Sequence, residues 1–172
     1  RTICEDVQAW WFDQLLGGKR YRYPEMYELI AKQQRIAKEA YSIDRNKRSD
    51  IALIFDEESM QSISFQSTVD MVELFRNYEM ARIGAPCDQY YHNDMSDPNM
   101  PSYKMYIFMN CLVLTEEERR AIREKLKKDG ALAVWIYASG VVDPEHPEIR
   151  FSAEHIEELT GIKMKEEYGK YD

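Results

Sequence analysis

Four short polar groups in this chain follow apolar runs, and their residue types could do chemistry. Asp56-Glu57-Glu58-Ser59 follows residues 51–55, Asn110-Cys111 follows residues 105–109, Ser139-Gly140 follows residues 132–137, and Asp13 follows the aromatic run Trp10-Trp11-Phe12. A carboxylate pair behind a strand suits Mg²⁺ beside a phosphorylated aspartate, because hard cations take oxygen ligands. Here the run over residues 105–109 ends in Asn110, which accepts no phosphoryl group, so phosphorelay chemistry fails at its acceptor atom. A hydroxyl on a small-residue turn suits an acyl-transfer nucleophile. Ser139 would then need a histidine base and a third group to orient it, and spacing ties neither His146 nor His155 to it. Cys111 lacks the glycines of a nucleophile turn, and a buried thiol is the plainer reading.

A flavin phosphate would be repelled by Asp56-Glu57-Glu58, so no cofactor is expected. His92, His146 and His155 share no ligand spacing, so no metal site is expected either. In open α/β sheets ligands gather at the carboxyl ends of strands. That rule leaves Asp56, Glu57, Asn110 and Ser139 as strand-end ligand candidates. For Trp10 and Trp11 two readings stay open. One is core packing; the other is an indole stacked on the apolar face of a pyranose, an economical use of a large flat ring.

The elements that must carry these groups follow from periodicity. Residues 7–13 read as a short buried strand that breaks at Gly17-Gly18. Pro24 stands where a helix begins. Met26, Leu29, Ile30, Ile36, Ala37 and Ala40 then mark one apolar face. Residues 42–50 are polar and charged and read as a boundary. Beyond them Ile51–Phe55 is a continuous apolar run, as a strand covered on both faces requires. A helix is predicted over about residues 68–83, with Met71, Leu74, Phe75, Tyr78 and Ala81 as its stripe and Gly84 at its end. Residues 87–92 make a less apolar strand, suited to an edge. Another strand covers residues 105–109. Thr115 and Glu118 form a capping box for a helix that Gly130 stops. A strand over residues 132–137 and a helix capped by Ser152 and closed by Gly161 complete the alternation. Strand-helix alternation of this kind makes a mostly parallel sheet with helices on both faces. The predicted fold is therefore α/β, doubly wound and flavodoxin-like.

Composition narrows the function classes. The chain has 172 residues and a net charge of −8 from 31 acidic and 23 basic residues. Such a chain repels phosphate backbones, which argues against nucleic-acid binding. The basic clusters at Arg45-Asn46-Lys47-Arg48 and Lys125-Leu126-Lys127-Lys128 sit at predicted helix ends, where they complement the helix dipole. No apolar run reaches the roughly 20 residues that a membrane helix needs. Cys4, Cys87 and Cys111 are three, without close pairing, so no disulfide framework is expected. The compartment stays open between cytoplasm and periplasm.

Several of these segments, in order, resemble β-galactosidase-like glycoside hydrolases of the family 42 type. They are Trp10-Trp11-Phe12-Asp13-Gln14 with Gly17-Gly18, Ile54-Phe55-Asp56-Glu57-Glu58-Ser59, and Ala81-Arg82-Ile83-Gly84-Ala85-Pro86. Tyr103-Lys104-Met105-Tyr106-Ile107-Phe108-Met109-Asn110, Trp135-Ile136-Tyr137-Ala138-Ser139-Gly140 and Leu159-Thr160-Gly161-Ile162 continue the series. Lys19-Arg20-Tyr21-Arg22 departs from the more aromatic and acidic stretch of that family. The resemblance implies that residues 1–44 are the last β/α unit of a (β/α)8 barrel. Residues 45–172 would then be an amidotransferase-like trimerisation domain, cut short at its end, in a chain that opens on Arg1 as a piece of a longer one would. It also implies Trp10 or Trp11 as a wall of the sugar subsite, with Asp13 shaping its rim. The catalytic glutamates would lie on earlier barrel strands, so no residue here is assigned catalysis. The implied partners are the upstream barrel, further copies of the chain in a trimer, and the parent's carbohydrate substrate.

Overall fold

A computed structural model describes residues 23–43, 49–149 and 151–165. Two units divide the chain, residues 1–47 and residues 48–172. In the first, α1 (Pro24–Ala40) starts on its proline, as the fixed φ and missing N–H of that residue favour. Ala40 is its buried residue, while Leu29 and Ile36 are exposed. The predicted strand over residues 7–13 lies outside the described residues, and so do Trp10, Trp11 and Asp13.

Among its described residues the second unit has four parallel strands: β1 (Ile51–Phe55), β2 (Cys87–Tyr91), β3 (Met105–Phe108) and β4 (Leu132–Trp135). They lie in the order β2-β1-β3-β4, with Ile54 opposite Tyr90 and Phe108, and Phe108 opposite Trp135. The chain thus runs outward one way from β1 and the other way from β3, the doubly wound arrangement. The predicted edge position of the half-polar β2 is the one it occupies.

Alternate residues of each strand face opposite layers. Ala52, Ile54, Tyr106 and Phe108 pack with Ile122 of α4 (Glu116–Asp129) and Leu159 of α5 (Ala153–Thr160). Phe108 stacks on Trp135 with ring centroids 4.2 Å apart. On the other face Leu53, Phe55, Ile107 and Met109 pack with Val72 and Met80. This is an α/β sheet covered from both sides.

The helix after β1 differs from its expectation. A short α2 (Glu57–Ser62) comes first, capped by the Asp56 side chain. Then α3 (Phe65–Thr68) runs into a wide-turned stretch, Val69–Glu79, and a tight turn, Met80–Arg82. Wide turns close i→i+5 bonds and hold more than 3.6 residues each. Val72 and Met80 are buried and Met71 of the predicted stripe packs beside them, whereas Tyr78 and Ala81 of that stripe are exposed.

Candidate functional site

The carboxyl ends of β1 and β3 meet in a buried polar knot. The backbone N–H of Asp56 donates to Asn110 Oδ1 at 3.0 Å, and Asn110 Nδ2 donates to the Asp56 carbonyl at 2.7 Å. The Asp56 carboxylate caps α2 by accepting from the Glu58 N–H at 2.9 Å and also accepts from the Ser59 hydroxyl. Ser59 Oγ in turn accepts from the backbone N–H groups of Leu112 and Val113, each at 2.9 Å. Asp56, Ser59 and Asn110 are all fully buried. Each is held by bonds within the domain, while Glu57 and Glu58 face solvent in the first turn of α2.

Sequence reasoning missed the residue that joins this knot to α4. His92 opens the tight turn after β2 (His92–Ser96) and is 6% exposed. Its Nε2 lies 2.9 Å from Glu118 Oε1, and its Nδ1 lies 3.5 Å from Asp56 Oδ1. Position at the end of a strand was the available signal; the absence of ligand spacing among the histidines hid it. Burial would raise the Glu118 carboxyl, but the Thr115 backbone N–H and His92 outweigh it and hold Glu118 below the usual carboxylate range. Cys111, beside the knot, is pushed up by burial and then by the Asp56 charge. A thiol held so firmly in its neutral form is a poor nucleophile.

The end of β4 makes a sharp turn whose strained residue is Tyr137, not Ser139. Tyr137 has φ 64° and is 78% exposed. A left-handed backbone costs a side-chain-bearing residue roughly 1–2 kcal/mol. In nucleophile-elbow hydrolases that position carries the attacking residue; here it carries a phenol. Ser139 is fully buried two residues on, and its hydroxyl has no hydrogen-bond partner. His155 Nδ1 is likewise buried without a partner, so the two do not pair as nucleophile and base. His146 lies instead 3.2 Å from Glu148 on the exposed loop.

Behind that turn a second charged knot ties α4, α5 and the loop together. Arg119 donates to Asp143 and Glu158, each at 3.1 Å, and to the Leu114 carbonyl at 2.7 Å. Burial would raise the Asp143 carboxyl; the Glu145 N–H and the Arg119 guanidinium more than offset it and keep Asp143 below its ordinary value.

One pocket of about 340 Å³ opens at the ends of β1 and β2, lined by Phe55, Met60, Val72, Gln89, Tyr90, Tyr91 and Asp94. Its walls are mainly apolar and aromatic, with one carboxylate. Among the described residues no group of three or more His, Cys, Asp or Glu could hold a metal ion, and no helix is long and apolar enough to cross a membrane.

No family model matches the chain, and no curated protein matches it. Among solved structures it is similar to a β-galactosidase from Bifidobacterium adolescentis. That match has 22% identity and a TM-score of 0.43, over 58% of this chain and 44% of the other. It is also similar to Gan42B, a GH42 β-galactosidase, with 18% identity and a TM-score of 0.46. There 71% of this chain is covered and 18% of the other. The chain therefore spans less than half the length of each.

Proposed function

We propose that this chain is an assembly domain of a glycoside hydrolase, itself non-catalytic, within a parent that acts on β-glycosides as family 42 β-galactosidases do. The observation that carries the reading is the closed state of the sheet's crest. Where α/β folds usually bind ligands, Asp56, Ser59 and Asn110 spend their hydrogen bonds on one another and on the backbone. An amidotransferase-like elbow without a nucleophile, occupied by Tyr137, agrees with it. The ordered motifs of the sequence supply the family.

In this reading bond cleavage belongs to a carboxylate pair on a barrel: one acid protonates the glycosidic oxygen and the other attacks the anomeric carbon. Trp10 or Trp11 walls the sugar subsite on the barrel's last strand, and Asp13 shapes its rim. The partners are other copies of the same chain, three to an assembly.

Light scattering on the purified chain, together with assays on aryl β-glycosides, tests the proposal. The expected result is a trimer without hydrolysis. Turnover by the chain alone, or a monomer at the highest attainable concentration, would overturn it.

A further inference from the structure

The crest of the sheet is closed at its centre and open at its edge. Between β1 and β3, where a ligand would usually sit, the pairing of Asp56 with Asn110 fills the crevice. One strand further out, at the ends of β1 and β2, lies the pocket of about 340 Å³. Register explains its walls. Gln89 pairs with Leu53 and Tyr91 with Phe55, so these four side chains share one face of the sheet. On β1 that face is buried with Val72, whereas on β2 Gln89 and Tyr91 stay exposed. The edge strand thus presents an amide and a phenol ring where a covered strand carries apolar residues. Asp94 completes the rim: its Oδ2 accepts from the Tyr91 N–H at 2.9 Å, which holds the carboxylate in place. Among the described residues the Gln89 amide and Asp94 Oδ1 have no hydrogen-bond partner.

We propose that this pocket is a carbohydrate site in its own right, taking one neutral pyranose. The Tyr91 ring stacks on the apolar face of the sugar, and the Gln89 amide and Asp94 Oδ1 bind its hydroxyls. The amide both donates and accepts, and the carboxylate accepts, so neighbouring hydroxyls find a complement in each sense. Other ligand classes fit the walls less well. None of the lining residues is basic, and Glu57 and Glu58 lie exposed on the helix that supplies Met60; phosphates and carboxylates are repelled. A single carboxylate falls short of the six or more oxygens that a hard cation needs. A wholly apolar ligand would strip water from Gln89 and Asp94 and return no hydrogen bond. The volume lies at the lower end of the roughly 300–1,000 Å³ of small-molecule sites, which suits one ring rather than a chain of them. The site goes beyond an assembly role and does not depend on the parent's being a glycosidase.

Saturation-transfer NMR titrations of the whole chain test the site, with methyl β-galactopyranoside and methyl β-glucopyranoside as probes. Choline and glucose 6-phosphate serve as the cationic and anionic comparisons. At least one glycoside is expected to saturate with a Kd of about 1 mM, the affinity that about 13 non-hydrogen atoms support at ordinary ligand efficiency. Gln89→Ala, at an exposed position, should weaken that binding about tenfold, and Tyr91→Ala by at least as much. Tyr91→Phe keeps the ring and should stay within about threefold of wild type. Tyr137→Ala, beyond β4 at the opposite edge of the described sheet, should change nothing. Should Tyr91→Ala fail to fold, Gln89→Ala decides. The site is overturned if neither glycoside saturates by about 50 mM, or if Gln89→Ala binds as the wild type does. Tighter binding of choline or of glucose 6-phosphate than of both glycosides overturns it as well.

Discussion

Ser59 shows how much a single hydroxyl can organise. It donates to Asp56 and accepts two backbone N–H groups from the strand-to-helix connection after β3. Buried backbone donors stranded without partners cost about 1–3 kcal/mol each. Ser59→Ala strands two of them and leaves one Asp56 oxygen short of a donor. A loss of about 2–4 kcal/mol is expected in denaturant unfolding, against a few tenths for an exposed serine such as Ser62. A loss below 1 kcal/mol would mean that water takes over the bonds. Residue type placed Asp56, Asn110 and Ser139 at strand ends, where the structure has them. The burial of Asp56 and Asn110 was not legible there, because the two are partners 54 residues apart along the chain.

At the scale of elements, helix ends carry the clearest local chemistry. Thr115 and Glu118 cap α4 reciprocally: the Glu118 N–H donates to Thr115 Oγ1 at 3.2 Å and the Thr115 N–H to Glu118 Oε2 at 2.8 Å. Gly130 ends the helix at φ 59°. Two glycines separate conformational from steric cost. A Cβ at Gly130 meets nothing within 4 Å, whereas at Gly140, φ 76°, it meets Leu159 at 3.0 Å and Arg119 at 3.3 Å. Gly130→Ala should therefore cost about 1 kcal/mol, the left-handed backbone alone. Gly140→Ala should cost more, about 2–3 kcal/mol, because it also pushes on the buried α5 contact. Equal losses in chemical unfolding would show that the Gly140 neighbours yield freely. Periodicity recovered α4 and α5 because each keeps 3.6 residues per turn. It misplaced Tyr78 and Ala81 of the stripe after α3, which are exposed where the turns widen, while Met71 packs on the core as expected.

Across the second unit, the Arg119 knot joins three elements that no sequence neighbourhood connects. Asp143 and Glu158 both sit below the ordinary carboxylate range. For each, burial pulls upward and is outweighed, by the Glu145 N–H and Arg119 at Asp143, and by Arg123 and then Arg119 at Glu158. A depressed carboxyl stabilises the fold above its unfolded value near 4 and loses that contribution as pH falls through the folded value. Acid titration of wild type and Asp143→Asn should show it. The variant loses about 3–5 kcal/mol at neutral pH, since a buried guanidinium is left short of its partner. It should also be less sensitive to acid than the wild type. An unchanged acid slope would place the sensitivity elsewhere, at Glu118 or Asp129, both also held low.

By itself the sequence determined the strands, their parallel doubly wound order of use, the capped helices and the edge position of β2. Those follow from apolar runs, turn residues and caps that act within a few positions of one another. Tertiary structure alone decided which strand-end groups are spent on the interior, that Tyr137 and not Ser139 takes the strained turn, and that His92 bridges Asp56 to Glu118. Each of those depends on contacts made through space between distant segments, and local pattern carries no record of the distance that separates them once folded.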